Sequence, residues 1–281
     1  MIDLAPNNPH SLSIATPLIA AAGALGFGVE YGRQLGLSDA EAAHGLGALI
    51  TRSISCNPQR VRPLPQLIPT AAGVIYRGAE HNPGLRAVQR RYAPTWAGWA
   101  LPVIVSIFGA DANELVELAG AFEGVEGVCG FEVSLALHGI ETPLAAQRLL
   151  APLRAASLLP LFVKLPGEAR NLPELACAVA DVGVDALALI DGLPGRAPAA
   201  DGSIVTGRLY GPAIFPFALQ ALEQVREAVT LPLIGMGGVA TTEHVRALLA
   251  AGATAIALGS ALLADPQRAG RIAEQLALRL E

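Results

Sequence analysis

Lys164 closes an apolar run, Leu161-Phe162-Val163-Lys164-Leu165, where a charged side chain is nearly buried and needs an anionic partner. Other greasy runs also end in polar residues. One ends in Thr51-Arg52-Ser53, another in Ser106-Ile107-Phe108-Gly109, and a third carries Glu132 and Ser134 with His138 just beyond. A further run ends in Asp191-Gly192. Arg52, Ser134, His138 and Asp191 bring a cation, a hydroxyl, an imidazole and a carboxylate to comparable positions. An imidazole is the natural acid or base near neutral pH. The plainer reading makes Lys164 a structural ion-pair partner of Glu132 or Asp191, and His138 a solvated loop histidine.

Two glycine clusters carry a second signal. Gly235-Met236-Gly237-Gly238 and Gly259-Ser260 follow the last two apolar runs. Glycines let a phosphate approach backbone N–H groups closely, and a following helix adds its positive end. These glycines otherwise only make tight turns.

Such residues need a scaffold that brings strand ends together. Runs of strand length fall at Leu18–Ala21, Ala48–Ile54, Pro102–Phe108, Val128–Leu135, Leu159–Leu165, Ala186–Ile190, Leu231–Gly235 and Ala255–Leu258. Between them, 172–182, 217–229, 242–251 and 267–280 carry apolar residues at helical spacing. Ser38 with Glu41, and Asp111 with Glu114, fit the capping-box spacing. This alternation predicts an α/β fold, a TIM (β/α)8 barrel formed as one domain over residues 1–281, with its site at the strand C-terminal ends. A doubly wound open sheet is the alternative, but Gly23-x-x-Gly26-x-Gly28 departs from its fingerprint. The first sixteen residues read as a hairpin plugging the barrel bottom. The stretch Ser55–Asn82, rich in Pro and Gly, reads as an extended loop after the second strand, where a substrate lid would sit.

Composition narrows the function classes. Apolar residues make up 52% and charged residues 15% of the chain, which suits strands buried on both faces. The net charge of −5, with no basic run, argues against nucleic acid or an anionic membrane as partner. No apolar stretch is long enough to span a bilayer, and no signal peptide is expected at the N-terminus. Cys56, Cys129 and Cys177 have neither disulfide nor metal-ligand spacing, so no metal and a reducing cytoplasm are expected.

Several motifs over nearly the full length resemble the class 1 dihydroorotate dehydrogenases. They are Thr16-Pro-Leu-Ile-Ala-Ala-Ala-Gly23 with Gly26-Phe-Gly-Val-Glu-Tyr31, and Gly73-Val-Ile-Tyr-Arg-Gly-Ala-Glu-His-Asn-Pro-Gly84. Gly211-Pro-Ala-Ile214, Gly235-Met-Gly-Gly-Val239 and Gly252-Ala-Thr-Ala-Ile-Ala-Leu-Gly-Ser260 complete the set. The resemblance implies a flavin oxidoreductase of CH–CH type holding flavin mononucleotide (FMN). Contacts would come from Ala22, Gly23, Arg52, Lys164, Gly211, Gly237, Gly238, Gly259 and Ser260. Beside a flavin, Lys164 would stabilise negative charge at the N1–C2=O end of the reduced ring. The resemblance also implies a homodimer. Any iron–sulfur centre would come from a separate electron-transfer subunit, because this chain has no cysteine cluster.

The substrate half departs from that family's pattern. Its fourth strand normally reads Glu-Leu-Asn-x-Ser-Cys-Pro-Asn; here the run is Glu132-Val-Ser-Leu-Ala-Leu-His-Gly139, and the expected cysteine base falls on Leu137. The expected amides fall on Ser134, Gly139, Tyr76 and Asp191, and the second-strand lysine on Arg52. The expectation is a different small substrate, bound by Arg52, Tyr76, Ser134 and Asp191, with His138 or Tyr76 exchanging a proton and Lys164 assisting. For Tyr76 the plainer role is an aromatic lid over the flavin. Arg77 and Arg208 either contact a substrate carboxylate or face solvent. The alternatives are a genuine dihydroorotate dehydrogenase with a remodelled site, and a non-redox barrel that binds phosphate or flavin.

Overall fold

The computed structural model describes residues 1–32, 34–37, 45–61 and 66–277. Two short strands, β1 (Ile2–Asp3) and β2 (Ser13–Ile14), pair antiparallel at the start of the chain. Next come β3 (Leu18–Ala20), β4 (Ala48–Ile50), the hairpin of β5 (Gln66–Thr70) and β6 (Gly73–Arg77), and helices α1 (Leu85–Arg91) and α2 (Ala93–Trp96). Strand and helix then alternate through β7 (Val103–Ile107), α3 (Ala112–Phe122), β8 (Val128–Ser134), α4 (Pro143–Ala156), β9 (Leu161–Lys164), α5 (Leu172–Ala180) and β10 (Ala186–Leu189). A second hairpin, β11 (Leu193–Pro198) and β12 (Ile204–Tyr210), precedes α6 (Phe215–Ala228) and β13 (Leu233–Gly235). The chain continues through α7 (Thr242–Ala250), β14 (Ala255–Leu258), α8 (Ser260–Ala264) and α9 (Arg268–Ala277).

Strands β10-β13-β14-β3-β4-β7-β8-β9 close into a parallel barrel, so the eight strand-length runs are its staves. Strand pleating sorts their side chains by parity. Ile19, Ala48, Ile50, Ile104, Phe162, Ala186, Ala188, Ile234, Ala255 and Ala257 form one buried cluster inside the barrel. Their neighbours, such as Leu18, Leu49, Val105, Val133, Val163, Leu187 and Leu258, pack outward with the helices. The interior is rich in alanine because inward side chains meet near the barrel axis.

The N-terminal hairpin behaves as expected. Leu4, Leu12 and Ile14 are buried in the interior cluster. Each such burial contributes about 1.5–3 kcal/mol. Asn8 Nδ2 donates to Asp185 Oδ2 at 3.1 Å, just before β10, so the plug sits at the strand N-terminal end. Asp111 caps α3, accepting from the amides of Asn113 and Glu114 at 2.9 and 3.0 Å. Glu114 does not return to Asp111; its carboxylate accepts from Ala110 N at 2.8 Å and Cys56 N at 3.2 Å. The Ser38–Glu41 spacing lies outside the described residues.

The stretch Ser55–Asn82 is more ordered than the predicted loop. Its hairpin joins β11 and β12 in a four-stranded antiparallel sheet ordered β11-β12-β6-β5. Ile75, Ala197 and Val205 form its small core. This sheet covers the barrel mouth, and the pairing Arg208↔Tyr76, Leu209↔Ile75 and Tyr210↔Val74 fixes which side chains reach it.

Candidate active site

A cavity of about 330 Å³ lies between the strand C-terminal ends and the covering sheet. That size accommodates a ligand of cofactor or metabolite dimensions. Barrel strand ends and their loops supply Ala22, Gly23, Arg52, Leu137, Lys164, Asp191, Gly259 and Ser260. The cover supplies Leu67, Val74, Tyr76 and Tyr210.

Inward parity explains the floor. Below it the inward positions are apolar. One layer higher they are polar, with Ser106 opposite Glu132 and Ser134 opposite Lys164 in adjoining strands. Lys164 Nζ lies 3.4 Å from Glu132 Oε1 and 3.7 Å from Asp191 Oδ2. All three residues are buried, so the attraction acts with little water to screen it. Burial works against the Lys164 ammonium, yet the two carboxylates raise its pKa. Asp191 also feels burial, but Lys164, Arg208, the Gly192 amide and Ser134 hold its pKa below the usual range. Burial dominates at Glu132 and raises its pKa, with Lys164 opposing and Asp191 reinforcing.

Asp191 is the hub of the hydrogen bonds. Its Oδ2 accepts from Ser134 Oγ at 2.9 Å. Its Oδ1 accepts from Gly192 N at 2.7 Å and from the Tyr210 hydroxyl at 3.1 Å. Burial and the neighbouring Asp191 push the Tyr210 phenol well above its ordinary pKa. Arg208 pairs with Glu168 at 2.7 Å, and among the described residues its buried Nε has no hydrogen-bond partner.

Tyr76 stands beside Tyr210, with ring centroids 6.4 Å apart, and its hydroxyl donates to the Gly78 carbonyl at 3.0 Å. Burial raises its pKa, an effect Arg52 opposes. Arg52 Nη1 reaches the His81 carbonyl at 3.5 Å. His138 lies outside the cavity wall. Its Nδ1 is 2.8 Å from the Ser134 carbonyl, so that nitrogen carries the proton, and its Nε2 accepts weakly from Gly109 N at 3.5 Å. Burial lowers its pKa, leaving a neutral ring engaged by backbone on both sides.

The glycine-rich turn after β13 offers unpaired donors. Gly238 and Val239 are buried, and among the described residues the amides of Gly237, Gly238, Val239 and Gly259 donate to no protein acceptor. Buried amides are almost always satisfied, so those of Gly238 and Val239 fit an anionic oxygen such as a phosphate; Gly237 and Gly259 are half-buried, where water can also serve them. Gly238 has φ +73°, and a Cβ there would lie 2.6 Å from the Gly211 carbonyl. The glycines therefore serve packing as well. A helical contribution is small, because α8 spans only Ser260–Ala264.

The predicted residues thus divide. Ala22, Gly23, Arg52, Tyr76, Lys164, Asp191, Gly259 and Ser260 line one cavity. Ser134 sits behind it, bonded to Asp191. Gly238 packs against Gly211, with Gly237 next to it in the chain, and none of the three is among the residues that line the cavity. Tyr210 escaped the sequence reading, as did the apolar wall of Leu67 and Val74. Only strand alternation in 204–210 could have flagged Tyr210.

Among the described residues, no helix is long and apolar enough to cross a membrane, and no cluster of His, Cys, Asp and Glu could hold a metal ion. The family described as Dihydroorotate dehydrogenase matches residues 7–280. The catalytic subunit of dihydroorotate dehydrogenase B (NAD(+)) from Desulforudis audaxviator is 35% identical over 280 residues, covering 94% of this chain and 89% of the relative. The corresponding subunit from Geobacter sulfurreducens is 33% identical over 278 residues, with the same coverage of 94% and 89%. That from Maridesulfovibrio salexigens is 31% identical over 284 residues, covering 96% and 91%.

Proposed function

Because this chain belongs to the dihydroorotate dehydrogenase family, whose members are flavin-dependent oxidoreductases, we propose that it is an FMN-dependent oxidoreductase acting on a small substrate other than dihydroorotate. The observation that carries the proposal is Leu137, an alkyl side chain in the cavity wall where the resemblance expects a thiol base. Leucine cannot accept a proton.

The FMN assignment draws support from the unpaired amides of Gly237, Gly238, Val239 and Gly259, which suit its phosphate. Ala22, Gly23 and Arg52 would line the flavin's path, with Lys164 at the floor and Gly211 and Ser260 at the edges. A bound FMN supplies hydride transfer. Lys164 keeps a positive charge close to that path, stabilising negative charge that develops there. Asp191 and Glu132 hold the ammonium in place.

On the substrate side, Arg52, Tyr76, Ser134 and Asp191 replace the expected lysine and amides. Each buried partner a ligand loses costs about 1–3 kcal/mol, so dihydroorotate would forfeit most of its binding. Asp191 remains a carboxylate at neutral pH and repels a second one. For proton exchange, Tyr76 is favoured by its place in the wall. His138 acts only if its ring swings away from Gly109 and Ser134.

Homodimer formation and a separate electron-transfer subunit belong to this proposal. The relatives' names, each a catalytic subunit acting with NAD(+), support the second partner. Nucleic acid and membrane are not among the proposed partners, and the cytoplasm is the proposed location. A second reading, a genuine dihydroorotate dehydrogenase with Tyr76 as base, is favoured by those same names. Anaerobic addition of dihydroorotate to the flavin-loaded protein separates the two. Unchanged flavin absorbance supports a different substrate, and rapid bleaching refutes it. Protein that takes up no FMN would sink the cofactor assignment.

A further inference from the structure

We infer that His244 positions the glycine-rich turn after β13 for a flavin phosphate, acting through the backbone of Ala240; this rests on the reading that FMN is the cofactor. The amides of Gly237, Gly238 and Val239 serve a phosphate well only if the turn already holds them in place. Whatever fixes the two ends of the turn therefore sets its affinity.

One end belongs to the barrel. Met236 follows β13 directly, and its carbonyl accepts from Ile190 N, just past β10, at 2.8 Å. The other end is Ala240, where the chain leaves for α7, and both of its backbone groups are held by side chains. Its N–H donates to His244 Nδ1 at 3.3 Å. Its carbonyl accepts from Arg268 Nε at 3.0 Å and Nη2 at 2.7 Å. Gly237, Gly238 and Val239, whose amides donate to no protein acceptor among the described residues, thus lie between two anchored neighbours.

His244 is itself fixed. It stands in the first turn of α7, where Thr241 Oγ1 accepts from its backbone N–H at 3.3 Å. Its ring stacks on Phe215, with centroids 3.8 Å apart and planes 10° from parallel. Phe215 also backs the turn, since a Cβ on Gly238 would lie 2.7 Å from Phe215 N. Because the Ala240 N–H is a donor, Nδ1 must accept, and the proton of the neutral ring sits on Nε2. The side chain reaches back from the start of the helix as a capping-box residue does, but one residue further, to the end of the turn.

Riboflavin, which shares the ring and sugar chain of FMN but has no phosphate, separates this role from general support of the fold. The full-length protein is loaded with either flavin, and release on dilution is followed by flavin fluorescence. Riboflavin should leave the native protein at least about a hundredfold faster than FMN. His244→Ala should cut that preference by about tenfold while changing riboflavin release by less than about threefold. His244→Asn, which returns an acceptor near the place of Nδ1 and nothing near Nε2, should recover most of the preference. The inference is overturned if His244→Ala keeps the preference, if it speeds both flavins alike, or if His244→Asn recovers nothing. Recovery by His244→Gln alone would also overturn it, by putting a direct Nε2 contact in its place. Native protein that releases both flavins equally would refute the phosphate reading of the turn, and protein that takes up neither would refute the cofactor assignment; the inference falls with either.

Discussion

Replacing Lys164 by Met removes the buried cation while keeping most of its volume, and the consequence should depend on pH. Asp191 would keep three donors, namely Ser134 Oγ, Gly192 N and the Tyr210 hydroxyl. Glu132 would lose its ion-pair partner at 3.4 Å. Breaking a buried pair by deleting one member costs about 3–5 kcal/mol, because the remaining charge stays uncompensated. Glu132 can escape that cost by taking up a proton. Burial already raises its pKa with Lys164 present, and without Lys164 the pKa rises further. A raised folded-state pKa contributes stability below the ordinary carboxylate range, and that contribution disappears as pH climbs through the folded value. Within that window the variant should therefore lose about 1.4 kcal/mol per pH unit beyond any change in the native protein. Urea unfolding of both proteins at about pH 5 and about pH 8, with equal flavin present, reads the difference. The variant should trail the native protein modestly at the lower pH and by the full ion-pair cost at the higher. Equal deficits at the two pH values would refute the claim that Lys164 opposes protonation of Glu132.

Two further outcomes follow from the geometry. Gly238→Ala forces a Cβ to 2.6 Å from the Gly211 carbonyl and 2.7 Å from Phe215 N, in a backbone region alanine resists. Overpacking of this kind costs about 1–3 kcal/mol, and FMN retention, followed by fluorescence on dilution, should fall with it; full retention would argue against the turn as a phosphate site. Leu137→Cys returns a thiol to the cavity wall yet leaves Ser134, Tyr76, Asp191 and Gly139 unchanged. Anaerobic absorbance should therefore still show no bleaching by dihydroorotate, and bleaching would mean that the missing amides matter less than the missing base.

The barrel was legible because burial on both faces turns each stave into a continuous apolar run, and because polar residues interrupt those runs mainly at their C-terminal ends. Lys164, Asp191, Arg52 and the paired glycine clusters could thus be singled out without coordinates. The covering sheet was not legible. Pro69 lies in β5 and Pro194, Gly195 and Pro198 in β11, residues that ordinarily argue against a strand. They are tolerated because β5 and β11 are the two edges of the sheet, where a missing N–H removes no interior ladder bond. Tyr210 was hidden for the same reason. It is one phenol in a hairpin that reads as loop, and its meaning comes from a partner 19 residues away, Asp191. His138 shows the opposite limit. Its position next to the expected base drew attention to it, and only coordinates reveal its two contacts with backbone.

Among the described residues, the covering sheet pairs within itself and shares no ladder with the barrel. Tyr76, Tyr210, Leu67 and Val74 can therefore change without disturbing the register of any stave, while Lys164 and Glu132 sit in staves and cannot. The architecture separates an inherited part from a negotiable one: selection can exchange the roof of the site to suit a new substrate while the floor beneath it goes on serving the same cofactor.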